Sequence, residues 1–373
     1  MGGIEVKKGD SAMTIRFDDA RWAQVKNNYR SWWAGELDRP LISITVNGYE
    51  SNRPKAKQPC HGFQSFHGAG VAADEIVDCW DYDLSTKKFL GDAFPCVWPN
   101  FGPGVLAAFT GCELRNAERT VWFHHPEEKE LRDVHVKFNG ESHWYRRIRE
   151  IMVAAQKRWQ GEVQVGMTDL GGSLDVMASF RGSEPLLMDL YDHPEEIKRV
   201  SDEIHRCWWQ YFDLFTAALR PPNPGYTAWT PIFSEESYYM LQCDFCYMIG
   251  PDMFDEFVKP ELAASCRKLK HAFYHLDGIG ELPHLDSLLS IPELAGVQWV
   301  PGAGQKDASE WTDVYKRIRA AGKLVQLFGY GDPRCIDAIA EKMGSLKGFI
   351  IIDSVPKERE QSAVEVLKRH GVP

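Results

Sequence analysis

The chain has 373 residues, 44% of them hydrophobic and 26% charged, with a formal net charge of −10 at pH 7. This is globular rather than disordered composition, and its negative balance sets aside nucleic acid, anionic membrane surfaces and any polyanionic substrate without a local basic pocket. No apolar run reaches the ~18–20 residues of a membrane helix and the first residues (MGGIEVKKGDSAMTIRFDD) hold no apolar signal core, so a cytoplasmic protein is expected.

Residues 1–38 read as an N-terminal helical layer with Trp22, Tyr29, Trp32 and Trp33 as packing residues. Short apolar, β-branched runs then recur at 41–46 (LISITV), 94–98 (FPCVW), 163–168 (VQVGMT), 226–232 (YTAWTPI), 272–276 (AFYHL), 297–300 (VQWV), 324–328 (LVQLF) and 349–352 (FIII). Continuous runs of this length fit parallel strands buried on both faces. Residues 101–160, rich in Trp, His and charge, break the repeat as a long insertion of the kind that forms functional lids. A long helix is predicted from His193-Pro194, with Pro at the first helical position and Glu195 and Glu196 in the first turn. Further helices are expected from the Asp307 cap to Gly322, from Asp332-Pro333 to Gly344, and over 357–370. Alternation of strand and helix implies a parallel sheet, and eight units imply an α/β fold of the (β/α)8 TIM-barrel type, as one domain over 1–373. A doubly wound open sheet is the competitor. It lacks its usual nucleotide-binding rationale, because no G-x-G-x-x-G follows the first strand and no P-loop occurs.

Nine scattered cysteines fit reduced thiols. Cys243 and Cys246 form a C-x-x-C without the second pair that a zinc ribbon needs, and are expected to be ordinary part-buried thiols.

In a barrel the site forms where strands end. The residues there are Trp98 and Asn100 after the second run, Asp169 after the third, Trp229 in the fourth, His275 and Asp277 in the fifth, Gln298 and Trp299 in the sixth, Tyr330 after the seventh and Asp353 after the eighth. Alternate strand residues point the same way, so His275 and Asp277 face one side together and can act as base and orienter, or as two ligands of a divalent metal. A metal needs a further ligand, for which Asp353 or Asp169 is the candidate; equally, the pair can simply brace the fold. Asp169 precedes Gly171-Gly172 and reads either as a site acid or as a turn former. Asp244, in an apolar context, reads as a substrate contact or a structural ion pair. Trp98, Trp229 and Trp299 read as aromatic walls for a ligand or as core. His124-His125 and the His61/His67 pair are expected to be solvated.

The ordered motifs Gly171-Gly172-Ser173-Leu174-Asp175, Arg181-Gly182 and Asp192-His193-Pro194-Glu195, then Asp244, Gly250-Pro251-Asp252, His275-Leu276-Asp277-Gly278 and Trp299-Val300-Pro301-Gly302, resemble the uroporphyrinogen decarboxylase and corrinoid-linked methyltransferase superfamily. The resemblance implies a (β/α)8 barrel with its pocket at the strand C-termini. It also implies a small-molecule substrate, a corrinoid protein as partner, and a homodimer. Two departures stand out. Where the zinc-bearing methyltransferases have His-x-Cys-Gly, this chain has His275-Leu276-Asp277-Gly278, so the soft thiolate ligand is missing. The arginine-rich R-Q-A-G-R loop of the decarboxylases is absent from the N-terminal region. The expected functions are methyl transfer on a small molecule, decarboxylation with Asp169 stabilising a cationic intermediate, or ligand binding without catalysis. No cofactor is named by these residues.

Overall fold

The computed structural model describes residues 15, 17–127 and 129–373. Most of the expected 1–38 layer is therefore described, and it is a helix, Asp19–Trp33, opened by the Asp18 side chain accepting from the Arg21 N–H. Eleven strands follow: β1 Leu41–Asn47, β2 Lys87–Gly91, β3 Cys96–Val97, β4 Glu113–Asn116, β5 Val121–His124, β6 Gln164–Val165, β7 Tyr238–Leu241, β8 His271–Asp277, β9 Leu294–Val300, β10 Leu324–Phe328 and β11 Phe349–Pro356. Seven of them form one sheet in the order β2-β1-β11-β10-β9-β8-β7, parallel throughout except for β2. β3 and β6 pair in parallel, and β4 and β5 form an antiparallel hairpin.

The expected fourth strand is displaced. Residues 226–232 form no strand, and Tyr226 makes a single bridge to Ser234. Pro231 has no N–H to give to a ladder, and the strand is instead the fully buried Tyr238–Leu241. The stretch 101–160 holds a four-residue helix, the β4–β5 hairpin and the long helix His143–Trp159, which lies between β3 and β6 in the chain.

The helix Pro194–Leu219 runs for 26 residues with Pro at its start, and buries Ile197, Val200, Ile204, Trp208, Tyr211 and Phe215 on one face. Each such side chain removed from water contributes roughly 1.5–3 kcal/mol. At the start of β8 the rings of Trp32 and Trp33 stack on Phe273 and His271, with centroids 6.0 and 4.1 Å apart. Phe273 needs a glycine opposite it: a Cβ on Gly296 of β9 would fall 2.2 Å from the ring. The N-terminal helix thus packs over the beginning of β8. No helix among the described residues is long and apolar enough to cross a membrane.

Candidate functional site

β8 delivers His275 and Asp277 to one face, as alternation requires. The chain then turns at Gly278, whose φ of +85° and whose closeness to the Tyr247 ring both favour glycine. His275 Nε2 lies 3.8 Å from Asp277 Oδ2. On the neighbouring strand Gln298 is the register partner of His275, and its Oε1 bonds the imidazole Nδ1. Trp229 packs edge-on against the imidazole, centroids 4.9 Å apart.

The third member arrives from β7. Asp244 opens the helical turn Asp244–Met248, and this turn is pinned from below: Asp175 accepts the N–H groups of Asp244 at 3.2 Å and Phe245 at 2.8 Å, and of its own cap Gly172 at 3.1 Å. Asp244, His275 and Asp277 each offer one ligand atom, all within 4.8 Å of one another. Asp244 keeps solvent access at the rim. The protein mass around it nonetheless pushes its carboxyl up, while His275 pulls it down and Asp277 pushes it further up.

Buried acids stand behind this trio. Asp169 accepts from Gly171 N at 3.0 Å and Gly104 N at 3.5 Å; burial first, then Asp244, push its carboxyl up to about 7. Burial and then Asp244 likewise raise Asp175. Glu281, fully buried with Tyr274 Oη 3.4 Å away, is pushed up to about 10 by burial, then by Asp244 and Asp175, and so stays protonated at neutral pH.

The other expected site residues separate clearly. Tyr330, 58% exposed and with a φ of +51°, lies against Phe328 with ring centroids 6.3 Å apart, and its hydroxyl is raised by burial and then by Asp277. Trp98 is half-buried against Gly166, and Asn100 closes a turn by accepting from Gly102 N at 3.1 Å while its backbone pairs with Gln64. Trp299 is no wall of this site. As register partner of Leu276 it sits on the face opposite Gln298, 1% exposed and packed against Trp311. Asp353 does not supply a third ligand either. It alternates away from Ile352, and its Oδ1 accepts from Gly331 N at 2.7 Å and Ser354 N at 2.8 Å, tying down the turn after β10. Asp169 lies outside the ligand trio. The acid grouped with His275 and Asp277 is Asp244, not Asp353 or Asp169, the two candidates offered as a further ligand. His67 is buried rather than solvated, and burial, His61 and Arg147 push its imidazole down to about 4. Cys243 and Cys246, flanking Asp244, are buried thiols raised above their ordinary range by burial.

Glu281 and Gln326 escaped the sequence reading, and Asp175 entered it only inside a motif, with no role. Gln326 was the most accessible of them, as the lone polar residue in LVQLF. It is the register partner of Gln298 and fully buried, with neither amide atom bonded.

Fold and site together define an α/β protein with a parallel sheet and an acid–imidazole centre at the strand C-terminal ends, built from hard oxygen and nitrogen donors. Among solved structures, a methyltransferase from Methanosarcina mazei shares this fold, with a TM-score of 0.60 over 92% of this chain and 98% of that one at 14% identity. Among curated proteins, the thiamine metabolism regulatory protein of Saccharomyces cerevisiae is 28% identical over 92 residues, 25% of this chain, and the chain spans 15% of that relative's length. No protein-family model matches the chain.

Proposed function

We propose that this chain transfers a methyl group to or from a small molecule at the Asp244–His275–Asp277 centre, with a corrinoid-carrying protein as methyl donor or acceptor. The observation that carries this reading is the placement of that centre at the ends of β7 and β8, in a fold shared with a methyltransferase. The reading includes a closed (β/α)8 barrel of the uroporphyrinogen-decarboxylase-like kind. Closure is supported by Met167 N to Thr227 O at 2.9 Å, which ties the continuation of β6 to the segment before β7, while Gly166 N to Val97 O at 2.7 Å extends the β3–β6 ladder and Asp92 N to Ile42 O at 2.8 Å carries the β1 pairing on toward β3.

In the transfer, the acceptor heteroatom passes its proton to a carboxylate of the site and bonds the methyl carbon as the donor's bond to that carbon breaks, the bonding pair leaving with the donor. His275, held by Gln298, and the two carboxylates would grip the heteroatom, with Trp229 as the flat wall beside it. Asp169, titrating near neutrality, suits proton transfer better than the permanent negative charge that decarboxylation through a cationic intermediate would ask of it.

The test is demethylation of methylcobalamin by the purified chain against a panel of thiol, alcohol and amine acceptors. Turnover that falls by about 100-fold in His275→Ala supports the reading. Failure to turn over any acceptor, with free methylcobalamin or with a corrinoid protein, overturns it.

A further inference from the structure

We propose that Asp244, His275 and Asp277 form a three-ligand site for a first-row divalent cation of the Mn²⁺, Fe²⁺ or Zn²⁺ kind, with Gln298 as the residue that orients the imidazole. This deepens the methyl-transfer reading. It rests on that reading for what the ion does, but not for whether the ion binds.

Spacing makes the first argument. Two ligands bound at about 2.1 Å and at near-tetrahedral or octahedral angles lie roughly 3–3.5 Å apart, and somewhat further apart before an ion draws them in. The three ligand atoms fall within 4.8 Å of one another. The His275 Nε2–Asp277 Oδ2 gap of 3.8 Å is too long for a direct hydrogen bond.

Charge makes the second. Two carboxylates face each other here, and among the described residues neither is ion-paired to a lysine or arginine; the one basic side chain beside them is His275. A divalent ion offsets this repulsion.

The imidazole makes the third. Gln298 Oε1 can only accept, so Nδ1 donates to it, and in the neutral ring Nε2 is then the nitrogen that turns an unshared pair toward the acids. A histidine ligand held through its second nitrogen is the usual support of a metal site. Gln298 has no exposed surface, and its own Nε2 has no partner, so this amide is held in the interior against the histidine at a desolvation cost.

Donor type then selects the metal. Two carboxylates and one imidazole suit hard to borderline ions, and the nitrogen favours transition metals over Mg²⁺ and Ca²⁺. The thiols nearest in sequence, Cys243 and Cys246, are buried and fall outside the trio, so no soft ligand competes. Bound here, such an ion supplies the Lewis acidity that makes a substrate O–H or S–H easier to deprotonate.

The experiment is titration of the full chain, stripped with a chelator, with Co²⁺ followed by visible absorption and with Mn²⁺ and Zn²⁺ followed by calorimetry. One ion per chain is expected. Affinity should fall at least about tenfold in Asp244→Asn, His275→Ala and Asp277→Asn, and by about 10–100-fold in Gln298→Ala, with circular dichroism unchanged. Should a variant fail to fold, anomalous diffraction from parent crystals soaked in Mn²⁺ decides in its place: a peak between the three side chains supports the site, and its absence overturns it. Substoichiometric binding at about 1 mM metal, or affinity indifferent to Asp277→Asn, would sink the proposal. Binding is read apart from turnover, so a metal-bound chain that moves no methyl group refutes the reaction alone, and a metal-free chain that moves one refutes this site alone.

Discussion

His275 and Gln298 stand side by side on β8 and β9, and the imidazole Nδ1 is bonded to the buried amide oxygen. The ring's tautomer is thereby set by a residue with no surface of its own. In Gln298→Leu the acceptor is lost, the ring is free to carry its proton on Nε2, and methyl transfer is expected to slow by about 10–100-fold. Gln298→Glu keeps an acceptor and should keep the tautomer. Imidazole ¹⁵N shifts check this directly, and an unchanged tautomer in the leucine variant would refute the orienting role.

Asp169 should make the protein less stable as pH rises. Its carboxyl is raised from 3.8 to about 7 on folding, chiefly by burial, so between those values the folded chain holds a proton that the unfolded chain has released. The stabilisation is complete below about 4 and lost by about 7, at most on the order of 2–4 kcal/mol. Asp169→Asn keeps an acceptor for Gly104 and Gly171 and should flatten this dependence. Denaturant melts at pH 5 and 8 measure it, and equal slopes in parent and variant would count against it.

Trp229 and Trp299 should behave as opposites. Trp299 is 1% exposed against Trp311, so Trp299→Ala is expected to cost about 3–5 kcal/mol with metal affinity unchanged in the folded fraction. Trp229 lies edge-on to His275, so Trp229→Ala should slow turnover several-fold at much smaller cost in stability. A parallel chevron and rate series for both variants would expose any exchange of roles.

Both tryptophans sat in runs that looked alike, which shows where the sequence was readable and where it was not. The Pro194–Leu219 helix was legible almost to the residue, because Pro, two acids and a helical apolar stripe agree. β8 and its His275–Asp277 alternation were equally plain. β7 was hidden because its four apolar residues follow a longer, more strand-like run that Pro231 spoils. The face that Trp299 takes depends on β9's register against β8, which is a tertiary choice. Asp244 was noticed, but its approach to a histidine 31 positions later depends on Asp175 pinning the intervening turn, and no local pattern encodes that bond.

Gly329 and Asp353 should be coupled. A Cβ at Gly329 would fall 2.5 Å from the Asp353 carboxyl carbon, so Gly329→Ala is expected to destabilise by about 1–3 kcal/mol. Asp353→Gly costs its own backbone bonds, but the double variant should lose less than the two single losses together, since the clash is gone. Strict additivity in denaturant melts would show that the two do not meet.

Asp277→Cys creates a His-x-Cys pair at the end of β8. It should move metal preference away from Mn²⁺ and toward Zn²⁺ by about tenfold or more, as a soft thiolate replaces a hard oxygen. Competition calorimetry reads the ratio, and an unmoved ratio would mean that residue 277 never touches the ion.

Trp32 and Trp33, laid against Phe273 and His271, stop up β8 at its beginning. In the proposed reading, traffic to and from His275 therefore passes by the other end of β8. A donor and an acceptor that meet at that histidine must both come in from the same side.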